Sequence, residues 1–293
     1  MSAGAPPRVP ATPQTPLDRV PPTGYTPREW VSVYAVKFRV AMAIQLHYRA
    51  ASAVWLIGAI LQPVIFVSVW SAVADAQGGS VNGLTAGDFA AYFIVAMIVN
   101  QLTFSWIFWE YEYYIREGQL ASRLLRPVHP IHTDIADNLT YKAMTMVVLV
   151  PTTLLLIWVF NPTWSFQWWS TIAFLPALFG AFLVRFLLEY ALAMAAFWTT
   201  RVTALNQLYS VIFLFFSGGI APLQLLPGPI QTMANLLPFR WTLAFPIELL
   251  LGQLTPRDFW VGMGAQLAWL LVALALVAIV WRAGVRRFTS VGG

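Results

Sequence analysis

Six stretches of this sequence, residues 51–73, 89–109, 139–160, 171–198, 202–220 and 259–281, are apolar and almost free of charge. A helix rises about 1.5 Å per residue, so about 20 residues cross a hydrocarbon core of about 30 Å. Composition points the same way. The 293 residues are 59% apolar and only 10% charged, whereas a soluble domain carries about 25% charged residues to cover its surface. So much oily surface needs lipid as solvent. The expected fold is an all-α integral membrane protein with six transmembrane helices in a permease-like domain over residues 50–287.

The flanks differ in texture. Residues 1–27 hold eight prolines and no aliphatic run. Such a segment buries too little to offset its ordering entropy, so it is expected to be a disordered tail; it lacks the pattern of a secretory signal. Residues 28–49 place Trp30, Tyr34 and Phe38 on one helical face, with Arg28 and Arg39 nearly opposite and Lys37 at the boundary. That pattern suits an amphipathic helix lying in the membrane interface; a short helix packed on a partner is the other reading. Residues 221–256 are apolar but contain Pro222, Pro227, Pro229, Pro238, Pro246 and Pro256, with Arg240 and Glu248 besides. A lipid-facing span with broken backbone pairing and an unpaired arginine is costly. Short re-entrant helices entering from the outer side before the last span are expected instead.

Charge placement supports six crossings. With a cytoplasmic N-terminus, fourteen of the seventeen basic residues fall inside; Arg240 and Arg257 fall outside and Arg185 within a span. This obeys the positive-inside rule, whereas a seventh span would expel Arg282, Arg286 and Arg287. The net charge of +5 therefore reads as a topology signal, and no nucleic-acid partner is expected.

Residues able to carry chemistry are few. Cysteine is absent, which excludes disulfides and thiolate metal sites. Of His47, His129 and His132, the last two are separated by Pro130 and read better as a polar loop than as metal ligands. A phosphate-binding loop needs a lysine after a Gly-rich turn, yet neither Lys37 nor Lys142 follows glycine. No nucleophile elbow, His-Glu-x-x-His pair or acidic metal cluster is present either. No catalytic residue, metal or bound cofactor is expected.

Within the apolar runs, Glu189 is the only acid, four residues after Arg185. That spacing puts both on one helix face, where they neutralise each other. The pair serves either as a structural clamp, the favoured reading, or as a polar contact lining a substrate path or subunit seam. The amides Gln62, Asn100, Gln101, Asn206 and Gln207 are expected to bridge helices.

The loop at residues 110–138 carries an apolar stripe, Leu120, Leu124 and Leu125, flanked by Arg116, Glu117, Arg123 and Arg126 and ended by Pro127. A short amphipathic helix held between two spans suits docking of a soluble partner; the alternative is a helix lying on the lipid surface.

The run Ile115-Arg-Glu-Gly118-Gln-Leu120, followed by Leu124-Leu125-Arg126-Pro127, resembles the cytoplasmic-loop signature of type-2 ATP-binding-cassette exporter permeases. The likeness extends over the interfacial helix, the six spans and the Pro-rich outer region. One departure is Ala121, where that family usually has Asp. The resemblance implies a permease subunit that forms a translocation path and pairs with a second permease, identical or similar. It implies docking on a separate ATPase, which would bind ATP and Mg. The coupling helix would use Arg116, Glu117, Gly118, Leu120, Arg123, Leu124, Arg126 and Pro127. An extracellular gate would involve Pro222, Pro227, Pro229, Pro238 and Arg240. The expected location is a bacterial cytoplasmic membrane, with both termini cytoplasmic. A self-contained secondary transporter and a non-transporting assembly factor are the competing readings. The poverty of intramembrane acids argues against the first.

Overall fold

The computed structural model describes residues 27–47, 49–126, 128–199 and 202–287. The expected tail, apart from its last residue, and Pro127 lie outside the described residues, as does the side chain of Trp30. The rest is helical, except for one two-stranded ribbon and short turns.

Helix α1 (Pro27–His47) precedes α2 (Arg49–Ala76), which continues through Pro63. α1 packs along the start of α6 (Pro130–Phe160). Tyr34 hydrogen-bonds His132 at 2.9 Å, and Lys37 donates to Thr133 Oγ1. Lys37 is therefore tethered to α6. Burial lowers its pKa, a shift that Asp137 opposes. Arg28 and Arg39 are exposed.

After α2, strands β1 (Ser80–Val81) and β2 (Leu84–Thr85) pair antiparallel, Ser80 with Thr85 and Val81 with Leu84. Asn82 and Gly83 turn the ribbon at φ 50° and 83°. Positive φ at both central residues is what a two-residue hairpin requires, and Asn-Gly supplies it at low cost. Thr85 then caps α3 (Ala86–Thr103) in a reciprocal box with Asp88. Thr255 and Asp258 repeat the device at the start of α12 (Pro256–Arg287). Both helices leave from the same end of the bundle, the hairpin end.

The expected single span at 89–109 is divided. Helix α3 stops at Thr103, Phe104-Ser105-Trp106 is non-helical, and α4 (Ile107–Arg116) resumes. Breaking a helix inside a membrane frees carbonyls that need partners. Lys142 supplies one, donating to the Phe104 carbonyl at 2.7 Å and to Asn138. Lys142, expected among the inner-side charges, is thus buried inside the bundle. Helix also continues past residue 109, so the loop expected to begin at 110 begins only after Arg116.

Gly118, at φ 70°, turns the chain into α5 (Gln119–Leu124); α6 then runs from Pro130 to Phe160. His129 caps it, its Nδ1 accepting from the Ile131 amide at 3.2 Å. Burial and the neighbouring His132 lower the pKa of His129. α7 (Trp168–Ala193) continues into a 3-10 turn at Met194–Phe197, and α8 (Thr203–Phe216) follows. Among the described residues, four helical units are long and apolar enough to cross a membrane: Ala86–Arg116, Pro130–Phe160, Trp168–Phe197 and Pro256–Arg287. Ile60–Ala76 and Thr203–Phe216 are apolar but shorter.

Residues 221–256 form a 3-10 turn (Leu223–Leu225) and three short helices, α9 (Gly228–Leu236), α10 (Pro238–Thr242) and α11 (Ala244–Leu250). Pro229, Pro238 and Pro256 occupy helix first turns, where the missing N–H costs nothing. α10 and α11 wedge between α7 and α12, and α11 also meets α3. Gln266, ten residues into α12, donates at 2.8 Å to the carbonyls of Ala177 and Trp241. Ten residues of helix are about 15 Å, about a third of the length of the 32-residue α12, so α10 lies well inside the bundle. Short helices stand here in place of one long helix, as expected from the prolines. Glycines seat α12: a Cβ at Gly262 would lie 2.1 Å from Phe245, and one at Gly284 2.2 Å from Phe197.

Candidate functional site

Three polar systems stand out in this apolar molecule. The first surrounds α5. Leu120 is fully buried and Leu124 packs against the core, whereas Leu125 is 87% exposed. The apolar stripe is therefore split, anchoring α5 on one face and offering one leucine on the other. Arg123 is turned inward. Its Nη1 donates to Asp134 at 2.6 Å, and its guanidinium stacks 3.9 Å from the Tyr114 ring centroid. Arg116 is exposed, donates to Glu117 at 3.2 Å and lies 4.0 Å from Glu112; Arg126 is exposed as well. Of the charges flanking the stripe, only Arg116, Glu117 and Arg126 face outward.

Asp134 is buried and also accepts from Tyr111 OH at 3.2 Å. Tyr111 OH in turn bonds Tyr190 OH. Arg123, Asp134, Tyr111 and Tyr190 thus link α5, α6, α4 and α7. Nothing local marks them as partners: 79 residues separate the two tyrosines. A second tie uses Glu112, which accepts from the Val202 amide at 3.1 Å and from Thr203 at 3.2 Å at the start of α8.

The second system is the intramembrane ion pair. Arg185 Nε donates to Glu189 at 2.8 Å, and its Nη1 donates to Asn100 at 2.8 Å and Thr103 at 3.0 Å. Ser105, exposed to this task by the break between α3 and α4, donates to the other Glu189 oxygen. Phe213 lies 4.2 Å beneath the guanidinium. Such full satisfaction is what lets an ion pair persist in a low-dielectric interior.

The pair forms part of the wall of a cavity of about 290 Å³ between α2, α3, α7 and α8. Clamp and cavity lining are thus one feature. Of the five amides, Asn100 bridges α3 to α7 as expected and Asn206 lines the cavity. Gln62 and Gln207 are exposed, and Gln101 Nε2 is buried without a partner.

The third system lies at the hairpin end. Arg240 pairs with Glu248 at 3.0 Å and with Asn235, while its Nε is buried without a partner. Arg240 and Pro222 border a smaller cavity of about 210 Å³ with Tyr92 and Gln231. Pro227 and Pro229 open α9, and Pro238 is buried at the start of α10.

Among the described residues, no group of three His, Asp or Glu side chains is placed to hold a metal ion.

A family model for ABC-2 family transporter proteins matches residues 60–292, most of the chain. Comparison with curated proteins yields no match, and neither does comparison with solved structures. The matched region begins within α2, includes α5, both cavities and α12, and so takes in all three polar systems: this multi-pass membrane protein belongs to the ABC-2 transporter family, as a membrane permease.

Proposed function

We propose that this chain is the permease subunit of an ATP-binding-cassette exporter in a bacterial cytoplasmic membrane. It crosses six times, by α2, α3–α4, α6, α7, α8 and α12, with both termini on the docking side. A separate ATPase supplies the driving force by binding ATP and Mg, and a second permease completes the path. The re-entrant α9–α11, with Pro222 and Arg240, serve as the outer gate.

One observation carries this reading: α5 is rigidly held from behind, yet presents a charged rim and a bare leucine. Arg123 on Asp134 and buried Leu120 fix it; Arg116, Glu117, Leu125 and Arg126 face outward. Leu125, 87% exposed beside these charges, is available to a partner. Motion imposed on α5 would reach α7 through Asp134, Tyr111 and Tyr190, next in sequence to the Glu189 that lines the cavity. Gly118 permits the left-handed turn that aims α5.

The test is affinity purification from membranes, followed by the Leu125→Glu and Arg126→Glu variants. A nucleotide-binding subunit is expected to co-purify, and the double variant to lower its recovery by about tenfold, equivalent to about 1.4 kcal/mol. Membrane insertion and unfolding midpoint should not change. If no ATPase accompanies the chain, or if the double variant retains it fully, the docking role is wrong. Charge reversal at Arg123 is a poor probe, because it strands buried Asp134 and loosens the fold.

A further inference from the structure

The smaller cavity, of about 210 Å³, is the polar hollow of an apolar chain. Gln224 of the 3-10 turn, Gln231 of α9, Arg240 of α10, Glu248 of α11 and Gln253 beyond α11 all line it. Each comes from a different element, and several of their hydrogen-bonding atoms are unspent. Arg240 gives Nη2 to Glu248 and Nη1 to Asn235, yet its Nε–H is buried without a partner. Glu248 accepts that bond through one oxygen; its other oxygen has no partner among the described residues. Gln231 donates Nε2 to the carbonyls of Gln224 and Leu226, which leaves its Oε1 to accept. Gln224 and Gln253 are exposed at the mouth and are bonded there through main-chain atoms, so both side-chain amides are open to a ligand. Leu223 and Leu254 supply apolar patches, and Tyr92, its hydroxyl held by the Gly218 carbonyl at 2.9 Å, closes the buried side.

We infer that this cavity binds a neutral, hydroxylated ring, a single sugar residue, at the hairpin end of the bundle. The paired charges select against ions: an anion drawn to Arg240 meets the Glu248 carboxylate, and a cation drawn to Glu248 meets the guanidinium. An apolar guest would strip water from five polar side chains and return no hydrogen bond. A flat amide offers few donors and acceptors, all in one plane. A sugar offers several hydroxyls, and each of them both donates and accepts. One hydroxyl gives to the open Glu248 oxygen, its neighbour takes from Arg240 Nε, and the three glutamine amides meet the others. The buried Nε–H thereby gains the acceptor it lacks. The C–H face of the ring lies on Leu223 and Leu254. Size agrees: at about 30 Å³ for each water-sized group the hollow holds about seven, the bulk of one ring with its hydroxyls. The site stands on the fold alone; that it faces the outside rests on the permease reading above.

The full chain is purified in phospholipid nanodiscs, because glucoside and maltoside detergents would themselves enter the site. Saturation-transfer difference NMR is run with the methyl glycosides of glucose, galactose, mannose and N-acetylglucosamine, and with acetate and N-acetylglycinamide as ionic and amide probes. At least one glycoside should bind with a dissociation constant in the millimolar range and show saturation on its ring protons; acetate and N-acetylglycinamide should show none. Gln224→Ala combined with Gln253→Ala, both at the exposed mouth, should weaken glycoside binding by about tenfold without moving the unfolding midpoint. Gln224→Trp, which covers the mouth from an exposed position, should abolish it. Absence of binding by all four glycosides, equal saturation of acetate or N-acetylglycinamide, or glycoside binding that ignores both changes overturns the site. ATPase recovery is scored on the same membranes before the nanodiscs are formed. Its absence condemns the permease reading and leaves glycoside binding standing; its presence without glycoside binding condemns only the sugar site.

Discussion

Helices α3–α4 and α12 look alike as apolar stretches, yet the fold uses them in opposite ways. In the most apolar part of Ala86–Arg116, 72% lies inside the structure; in Pro256–Arg287 only 17% does. The distinction is in the polar minority. Asn100, Gln101, Thr103 and Ser105 interrupt the first, whereas between Phe259 and Trp281 the second has only Gln266. Even that one residue is buried, anchored on the carbonyls of α7 and α10. In lipid, apolar surface gains nothing by turning inward, so polar groups decide which face is hidden. The central helix is the one with something to hide.

The comparison breaks most visibly at the seam between α3 and α7. Glu189→Ala leaves the Arg185 guanidinium buried without its carboxylate and should destabilise the protein by about 3–5 kcal/mol, read as a lower unfolding midpoint in detergent. If the midpoint holds, the seam is not what secures α3. A smaller effect is expected at the lone anchor of α12. Gln266→Leu removes two hydrogen bonds but also the partnerless Oε1 of that side chain, for a net loss of about 1 kcal/mol. The smallest belongs to the rim. Leu271 is 59% exposed, and Leu271→Ala trades lipid contact for lipid contact, so it should stay within about 0.5 kcal/mol. A rim substitution as costly as Glu189→Ala would erase the distinction between the two helices.

Several features are legible in the local sequence. The spacing of Arg185 and Glu189 predicts their pairing, and the prolines of residues 222–256 predict short helices. Asn82-Gly83 between Val81 and Leu84 is a hairpin signal, and Thr85 with Asp88 a helix-start signal; both lie in a segment otherwise legible only as a connection. The break at Phe104-Ser105-Trp106 has no such mark, since neither proline nor glycine interrupts it. The partner that takes up the freed Phe104 carbonyl, Lys142, lies 38 residues away. Arg123 is the sharpest case. On its own helix it looks like a surface charge beside a docking stripe; only the arrival of Asp134 from α6 turns it inward and leaves Leu125 outside.

Composition and order along the chain, by themselves, determined that this protein lives in a membrane, which segments are apolar enough to lie there, and that no phosphate-binding loop accompanies them. These follow from sums over neighbouring residues: transfer free energy accumulates along a stretch, and a phosphate loop is contiguous. Tertiary packing alone decided which polar groups meet and that the Arg185–Glu189 clamp is also a cavity wall. A buried polar group without a partner at hydrogen-bond distance costs free energy, and that partner comes from whichever helix the packing brings alongside.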